Sequence, residues 1–178
     1  MPERVTMLLS AEQIRARVRE LGANITRDYA GRSLTLVCVL KGSFVFAADL
    51  ARAVDLPVRI DFLGVRSYGA DTETSGVVQI TQDLSRPIEG EDVLLVEDIV
   101  DTGLTVAHLG ALLSTRHPRS VKVCALLHKP ARMRAKVDID YLGFAIEDRF
   151  VVGYGLDQAE KYRNLPFVGV IEHEEPAT

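Results

Sequence analysis

Two adjacent carboxylates follow one short apolar stretch of the chain. The stretch runs from Val93 to Val96, and its length and β-branched residues are typical of a strand buried on both faces of a parallel sheet. Glu97 and Asp98 come directly after it, where such a strand would reach its carboxyl end. Ligands of open α/β sheets bind just outside that edge. The two acids are therefore candidates for binding hydroxyl groups or a metal ion.

The turn after these acids could bind a phosphate group. It contains Asp101, Thr102, Gly103 and Thr105, and a helical pattern follows. A polar turn at a helix N-terminus directs backbone N–H groups outward, and the helix dipole favours negative charge there. The alternative is a plain strand-to-helix turn with solvated acids and threonines that cap the helix. The density of acids, hydroxyls and glycine favours the phosphate site.

Two lysines occupy equivalent positions after other predicted strands. Leu34 to Leu40 is an apolar run followed by Lys41 and Gly42, and Val121 to Leu127 is another, followed closely by Lys129. Alone, either lysine could be a solvated charge at the end of a strand. Because carboxyl ends of parallel strands meet at one edge of a sheet, we expect both lysines to lie near the acids.

A long polar segment separates two further predicted strands, Val58 to Ser67 and Val77 to Leu84. Residues 68–76 are rich in Gly, Thr, Ser and Asp. This composition predicts an exposed hairpin connection, and a mobile lid over a reacting centre has the same composition.

Helical spacing predicts the elements that position these residues. A capping-box pair, Ser10 with Gln13, begins a helix predicted from about Ala11 to Tyr29. The remaining predicted helices are Phe44 to Val54 and Thr105 to Arg116, and Arg132 to Lys136 is interpreted as a solvated basic connection. Alternation of strands and helices predicts an α/β fold with a parallel sheet.

Composition limits the function classes. A chain of 178 residues predicts one domain, and a net charge of −4 gives no electrostatic footprint for nucleic acid. No apolar run reaches the roughly 18 residues that a membrane span needs, and the N-terminus lacks a secretion signal. Cys38 and Cys124 lie in apolar runs, so we expect buried thiols and neither disulfides nor zinc. These features predict a cytoplasmic protein that binds neither nucleic acid nor membrane.

The stretch from Val93 to Val106 resembles the phosphoribosyl pyrophosphate motif of the type I phosphoribosyltransferases. The resemblance extends from about Leu34 to Ile171 through four motifs in the family's order. It implies one domain, residues 1–178, with a central parallel sheet of about five strands flanked by helices. It also implies a flexible hairpin flap at about 67–76 and a small hood at about 143–178, to which the N-terminal end can contribute.

The last third of the chain resembles the hypoxanthine-guanine branch of that family, and the resemblance implies a role for each candidate residue. The phosphoribosyl group with its 5′-phosphate would be bound by Glu97, Asp98, Asp101, Thr102, Gly103, Leu104 and Thr105. The pyrophosphate would be bound by Lys41, Gly42, Ser67, Tyr68 and Arg163. The purine would be bound by Lys129, Phe150, Val151 and Asp157. Mg²⁺ would be bound by Glu97, Asp98 and Asp157. In relatives the Leu40–Lys41 peptide can be cis.

Asp101 stands out because a carboxylate repels the phosphate that its loop should bind. Either it caps the helix, or it faces the purine N7 and acts catalytically by managing a proton there. The implied reaction joins N9 of hypoxanthine or guanine to phosphoribosyl pyrophosphate, with Mg²⁺ as cofactor, and releases pyrophosphate. The resemblance also implies a homodimer or homotetramer.

Two alternatives remain open. One is a regulator of the same fold that binds phosphoribosyl pyrophosphate or nucleotide and recognises nucleic acid. The other is a phosphoribosyltransferase for adenine, xanthine or a pyrimidine. Lys129 argues against adenine, because a cationic donor suits a 6-oxo group and not a 6-amino group. The ranking of hypoxanthine, guanine and xanthine stays open.

Overall fold

The computed structural model describes residues 3–67 and 78–173 of the chain. Its strands are β1 (Glu3–Leu9), β2 (Leu34–Leu40), β3 (Val58–Ser67), β4 (Val78–Gln82), β5 (Asp92–Val100), β6 (Ser120–His128), β7 (Tyr141–Ala145), β8 (Val151–Val152) and β9 (Val168–His173). Its helices are α1 (Ala11–Asp28), α2 (Phe44–Ala53) and α3 (Leu104–Ser114), with a short 3₁₀ turn at Pro130–Arg132.

The main sheet has six strands in the order β4-β3-β2-β5-β6-β7. Strands β3, β2, β5, β6 and β7 are parallel to their neighbours, and β4 pairs antiparallel with β3 at one edge. The side chains of Val93 to Val96 in β5 are fully buried, because helices cover both faces of the sheet. The predicted α/β fold with about five parallel strands is confirmed.

Apolar side chains bury the helices against the two faces. On one face α1 and α2 pack together through a core that includes Ile14, Val18, Leu21, Ile25, Phe46 and Leu50. On the other face α3 contributes Val106, Leu109 and Leu113. The predicted capping box of α1 is present: Gln13 N donates to Ser10 Oγ at 3.1 Å, and Ser10 N donates to Gln13 Oε1 at 2.8 Å. No helix in the described ranges is long and apolar enough to cross a bilayer.

A second sheet of three strands, in the order β1-β9-β8, joins the two ends of the chain. β1 pairs antiparallel with β9, with Val5 opposite Ile171, and β8 pairs with the other side of β9. This small sheet occupies the position in sequence of the predicted hood and includes the N-terminal strand. Before Leu34 the sequence predicts only a helix and not β1, because the partner strand of β1 lies more than a hundred residues away in the chain.

Strands β3 and β4 form the two sides of the predicted hairpin, with Ser67 opposite Val78. Of the predicted flap, residues 68–76 lie outside the described residues, and only the backbone of Ser67 is described. The predicted roles of Ser67 and Tyr68 therefore stay predictions.

Candidate active site

The loops that follow β2 and β5 and the first turn of α3 enclose a cavity of about 220 Å³ at the carboxyl edge of the sheet. The predicted site residues that line it are Gly42, Glu97, Asp98, Asp101, Thr102, Gly103 and Thr105. The structure thus brings together six of the seven predicted phosphoribosyl-binding residues and one residue of the predicted pyrophosphate loop. Leu104, the seventh, begins α3 beside them.

The predicted phosphate loop turns sharply into α3 at Gly103. This residue has φ of +80° and is the N-cap of the helix, and a side chain in this conformation would be strained. A Cβ atom at Gly103 would also lie 3.1 Å from the carbonyl oxygen of Ala135. Because the first N–H groups of a helix have no partner within it, this turn supplies donors for an anion. Since Gly103 is the N-cap, Asp101 does not cap α3, which removes one of its two predicted roles.

Burial changes the protonation behaviour of the paired acids. Loss of solvent raises the pKa of Glu97 well above its ordinary value, and the adjacent Asp98 charge adds to that effect. Burial also raises the pKa of Asp98, although the N–H of Ile99, which donates to Asp98 Oδ1 at 2.7 Å, opposes the change. A carboxyl group with a raised pKa loses its proton more readily when a cation or a hydroxyl donor binds beside it, because the ligand stabilises the carboxylate. Such pKa shifts are therefore suited to a binding site.

The turn after β2 contacts these acids directly. Its Leu40–Lys41 peptide is cis. A Cβ atom at Gly42 would lie 1.7 Å from Asp98 Oδ2. On the opposite side, a Cβ atom at Gly155 would lie 2.2 Å from the carbonyl oxygen of Gly42. Three segments that are distant in the sequence therefore meet here, and their backbones approach so closely at positions 42 and 155 that only glycine fits.

Two residues predicted to bind pyrophosphate, Lys41 and Arg163, belong to a cluster of four charged side chains. Lys41 Nζ lies 3.1 Å from Glu160 Oε2, and Arg163 Nη2 lies 3.3 Å from Glu160 Oε1 and 3.0 Å from Asp157 Oδ1. Arg163 Nε is buried and has no hydrogen-bond partner among the described residues. The cluster brings together Lys41 and Arg163, both predicted to bind pyrophosphate, and adds Asp157, which was predicted to bind the purine and Mg²⁺. Sequence reasoning missed Glu160, whose contact with Lys41 spans 119 residues.

A second group of four residues, here called the charge ring, contains Asp101, Lys129, Arg132 and Asp148. Lys129 is 7% exposed, and its Nζ lies 3.8 Å from Asp101 Oδ2 and 3.7 Å from Asp148 Oδ1. Arg132 Nε donates to Asp101 Oδ1 at 2.5 Å, and Arg132 Nη1 donates to Asp148 Oδ2 at 3.4 Å. These contacts raise the pKa of Arg132, chiefly through the hydrogen bond to Asp101.

The charge ring adds to one interpretation of the sequence. The sequence predicts a solvated connection at residues 132–136, and Arg132, Arg134 and Lys136 are exposed; in addition, the guanidinium of Arg132 binds two carboxylates. The segment also supports the phosphate loop, since the N–H groups of Arg134 and Ala135 donate to Thr102 O at 2.9 and 3.2 Å. The acid at position 148 was missed as well, although its place two residues before Phe150 was a usable signal.

The two remaining residues that were predicted to bind the purine differ in their solvent exposure. Phe150 is 57% exposed, and Val151 is 5% exposed at the start of β8. The exposed aromatic ring of Phe150 offers a stacking surface for a planar base, because aromatic rings pair face to face with an offset.

The acidic side chains suit a magnesium ion that is bound mainly by substrate. Over residues 3–67 and 78–173, no three His, Cys, Asp or Glu side chains come together as a metal site. Mg²⁺ keeps several waters and commonly takes one or two carboxylates together with substrate phosphates. Glu97 and Asp98 in the cavity, and Asp157 beside Arg163, fit that requirement, and their role as metal ligands stays a prediction.

Comparison with known proteins points to the same chemistry. The profile described as a phosphoribosyl transferase domain matches residues 4–159. The hypoxanthine-guanine phosphoribosyltransferase of Mycobacterium avium is 53% identical over 173 residues, covering 94% of this chain and 85% of that protein. The Dictyostelium discoideum protein of the same name is 47% identical, over 94% of this chain and 96% of that protein.

A solved structure agrees in fold as well as in sequence. The crystal structure of a hypoxanthine-guanine phosphoribosyltransferase from Bacillus anthracis has a TM-score of 0.91 and 46% identity, covering 94% of this chain and 99% of that chain. The residues matched by the family profile, 4–159, include those of the cavity, the cis turn and the charge ring. The chain therefore belongs to the type I phosphoribosyltransferase family.

Proposed function

We propose that this protein transfers the 5-phosphoribosyl group of phosphoribosyl pyrophosphate to N9 of hypoxanthine or guanine in purine salvage. The observation that carries the proposal is the position of Lys129, a buried cation whose Nζ lies 3.8 Å from Asp101 at the phosphoribosyl cavity. An ammonium donor suits the O6 carbonyl of a 6-oxopurine, and the exposed Phe150 ring supplies a stacking face.

The cavity residues orient the phosphoribosyl group. Carboxylates of Glu97 and Asp98 accept hydrogen bonds from the ribose hydroxyls. Backbone N–H groups and hydroxyls of residues 102–105 hold the 5′-phosphate at the start of α3. Fixing both ends of the ribose places C1′ for attack, and correct placement of reacting groups can contribute about 7–11 kcal/mol to lowering a barrier.

Lys41 and Arg163 face the departing pyrophosphate from two different segments. The bond between C1′ and the pyrophosphate oxygen breaks as the bond between C1′ and N9 forms. The negative charge that develops on the leaving oxygen is stabilised by these cations, because preorganised charges are most effective where charge develops. When bound, Mg²⁺ supplies further neutralisation of the pyrophosphate, and Glu97, Asp98 and Asp157 are the residues that would hold it.

Asp101 manages the proton that the neutral purine must lose. Its carboxylate accepts the proton through N7 as N9 becomes bonded to C1′, so the nucleotide and pyrophosphate leave without an unstable cationic base. The neighbouring Lys129 donates a hydrogen bond to O6 and thereby fixes the orientation of the six-membered ring of the purine.

The assembly and location are proposed from the family and the sequence. We expect a homodimer or homotetramer, which sedimentation of the purified protein would test. Both cysteines are free and buried, and burial raises the pKa of the Cys38 thiol to about 12, so neither is suited to redox chemistry. A cytoplasmic location agrees with such thiols.

Release of pyrophosphate tests the proposal directly. The purified protein is given phosphoribosyl pyrophosphate with hypoxanthine, guanine, xanthine, adenine or uracil, each with and without Mg²⁺. We expect release with hypoxanthine, guanine or both, and only with Mg²⁺. Release with adenine or uracil alone, or with none of the bases, would reject the proposed function.

A further inference from the structure

The charge ring joins two residues with proposed roles in the reaction to two residues without any. Asp101 and Lys129 are the residues proposed to contact the purine. Arg132 and Asp148 complete a closed circle of alternating charges with them. The four side chains come from three different loops, which follow β5, β6 and β7. Their contacts therefore fix these loops relative to one another at the carboxyl edge of the sheet.

We infer that Arg132 and Asp148 are positioning residues: Arg132 fixes the carboxylate of Asp101, and Asp148 fixes the ammonium group of Lys129. The inference depends on the proposed function, because it assumes that Asp101 accepts the purine proton and that Lys129 donates to O6. Neither positioning residue needs to touch the substrate.

Arg132 is suited to this role by its shape. A guanidinium is a planar fork that can bind two carboxylates in fixed directions, whereas an ammonium is a point charge. Arg132 uses Nε for Asp101 and Nη1 for Asp148. The contact occupies Oδ1 of Asp101, so the carboxylate is held in one rotamer while Oδ2 faces Lys129.

Lys129 is held differently. Its two ion pairs, at 3.7 and 3.8 Å, are longer than hydrogen bonds. A buried ammonium group needs nearby negative charge, because removing it from water is costly. Asp148 and Asp101 supply that charge at a distance that leaves the N–H groups of Lys129 able to donate to a carbonyl oxygen of the base. Asp148 also lies two residues before Phe150, the residue proposed to stack on the base.

The experiment compares Arg132→Gln with Arg134→Gln. Arg134 is a neighbouring exposed arginine whose side chain forms no hydrogen bond or ion pair with the residues that the structure describes. Both variants remove one positive charge. Arg132→Gln is expected to lower kcat about 10- to 100-fold, as expected when a reacting group is displaced by about 1 Å. The KM for phosphoribosyl pyrophosphate should stay within about twofold of the parent, and Arg134→Gln should match the parent in both constants. Arg132→Lys should restore part of kcat, because it keeps the charge without the fork.

Asp148→Asn is compared with Glu147→Gln in the same way. Because Asp148 acts through Lys129, its loss should raise the KM for hypoxanthine about three- to tenfold and leave the KM for phosphoribosyl pyrophosphate unchanged, while Glu147→Gln should resemble the parent. Thermal unfolding of all variants identifies any loss that comes from misfolding. A variant that fails to fold is replaced by Arg132→Lys or Asp148→Glu, which keep the charge and shift its position.

Double variants separate positioning from a direct role. If Arg132 acts through Asp101, then Arg132→Gln should cause little further loss of kcat in an Asp101→Asn background, and Asp148→Asn little further rise of the hypoxanthine KM in a Lys129→Ala background. Full additivity of the effects, or equality of Arg132→Gln with Arg134→Gln, would overturn the inference. Failure of the parent protein to release pyrophosphate with any 6-oxopurine would reject the proposed function instead.

Discussion

The backbone of Gly42 lies directly against the carboxylate of Asp98, so that a Cβ atom at position 42 would be 1.7 Å from Asp98 Oδ2. The turn after β2 and the end of β5 thus share one small space. Gly155 packs against the same turn, because a Cβ atom at position 155 would lie 2.2 Å from the carbonyl oxygen of Gly42. Asp98 is proposed to bind the ribose, and the turn that contains Gly42 is proposed to bind the pyrophosphate. The contact between Gly42 and Asp98 therefore joins the two parts of the proposed substrate site.

Gly42→Ala should therefore damage both activity and stability. The added methyl group must displace Asp98 or the turn, so we expect kcat/KM to fall at least about 100-fold, as for a misplacement of about 1 Å. Overpacking of this kind costs about 1–3 kcal/mol in the free energy of unfolding. The control is Gly110→Ala in α3, where a Cβ atom would meet nothing within 4 Å and where alanine favours the helix. Parental kcat/KM in Gly42→Ala, measured by pyrophosphate release, would show that the contact is unimportant.

Local sequence patterns were enough to predict the main sheet. The buried run of β5, the capping box of Ser10 and the glycine at the start of α3 are each determined by neighbours within a few residues. Stacking such strand–helix units gives a parallel sheet and places their carboxyl ends together. For that reason the cavity residues could be predicted without a structure.

Contacts between distant loops could not be predicted in this way. Glu160 reaches Lys41 across 119 residues, and Arg132 reaches Asp101 across 31. Both are charged residues in irregular segments, whose composition is also that of an ordinary solvated surface. The pairing of β1 with β9 is also long-range. No local sequence pattern in β1, a strand of seven residues, indicates which strand it pairs with.

Lys129→Ala should impair recognition of the base and leave the phosphate contacts intact. Loss of a charge-assisted hydrogen bond to O6 costs about 1.5–3 kcal/mol, so the KM for hypoxanthine should rise about 10- to 100-fold. The KM for phosphoribosyl pyrophosphate should change less than about twofold. Lys136→Ala, at an exposed position of the following segment, is the control. Unchanged preference for 6-oxopurines together with weaker binding of phosphoribosyl pyrophosphate would place Lys129 at a different part of the substrate.

Glu97→Gln should stabilise the ligand-free protein at neutral pH while weakening substrate binding. Burial raises the pKa of Glu97 above its ordinary value of 4.5, so the folded protein loses stability as the pH rises from 4.5 through the raised pKa. Glutamine carries no charge that would have to be buried, so the folded Glu97→Gln variant does not lose stability in this way as the pH rises. The difference in Tm between the variant and the parent should therefore grow in favour of the variant from pH 4.5 to pH 8. Each unit by which the pKa is raised corresponds to about 1.4 kcal/mol in the free energy of unfolding. Exposed Glu89→Gln should show no such trend, and a Tm difference independent of pH would contradict the assignment.

Removal of Mg²⁺ should abolish turnover without unfolding the protein. The pyrophosphate carries the charge that the ion neutralises, whereas the described residues contain no cluster of three metal-ligating side chains that would stabilise the fold. In excess chelator we expect no pyrophosphate release and an unchanged Tm, with activity restored by added Mg²⁺. Full activity in excess chelator would rule out the metal-assisted departure of pyrophosphate.

Asp101→Asn tests the proton transfer itself with almost no change in side-chain volume. Because Gly103 is the N-cap of α3, Asp101 has no capping role that asparagine could preserve. Its amide oxygen can still accept the hydrogen bond from Arg132, but an amide cannot exchange a proton with N7. We expect kcat to fall about 10²- to 10⁴-fold, the range for a positioned proton-transfer group, while phosphoribosyl pyrophosphate still binds.

Stability separates this outcome from a structural effect. Exposed ion pairs contribute about 0–1 kcal/mol, and Asp101 is 39% exposed and Arg132 44% exposed, so the free energy of unfolding should change by no more than about 1 kcal/mol. The measurement pairs single-turnover transfer rates with denaturant unfolding of the same preparation. A stable variant that retains more than about a tenth of the parental kcat would exclude Asp101 as the proton acceptor. The purine proton would then have to leave to solvent, because Lys129, the proposed O6 donor, is an ammonium group with no acceptor for a proton.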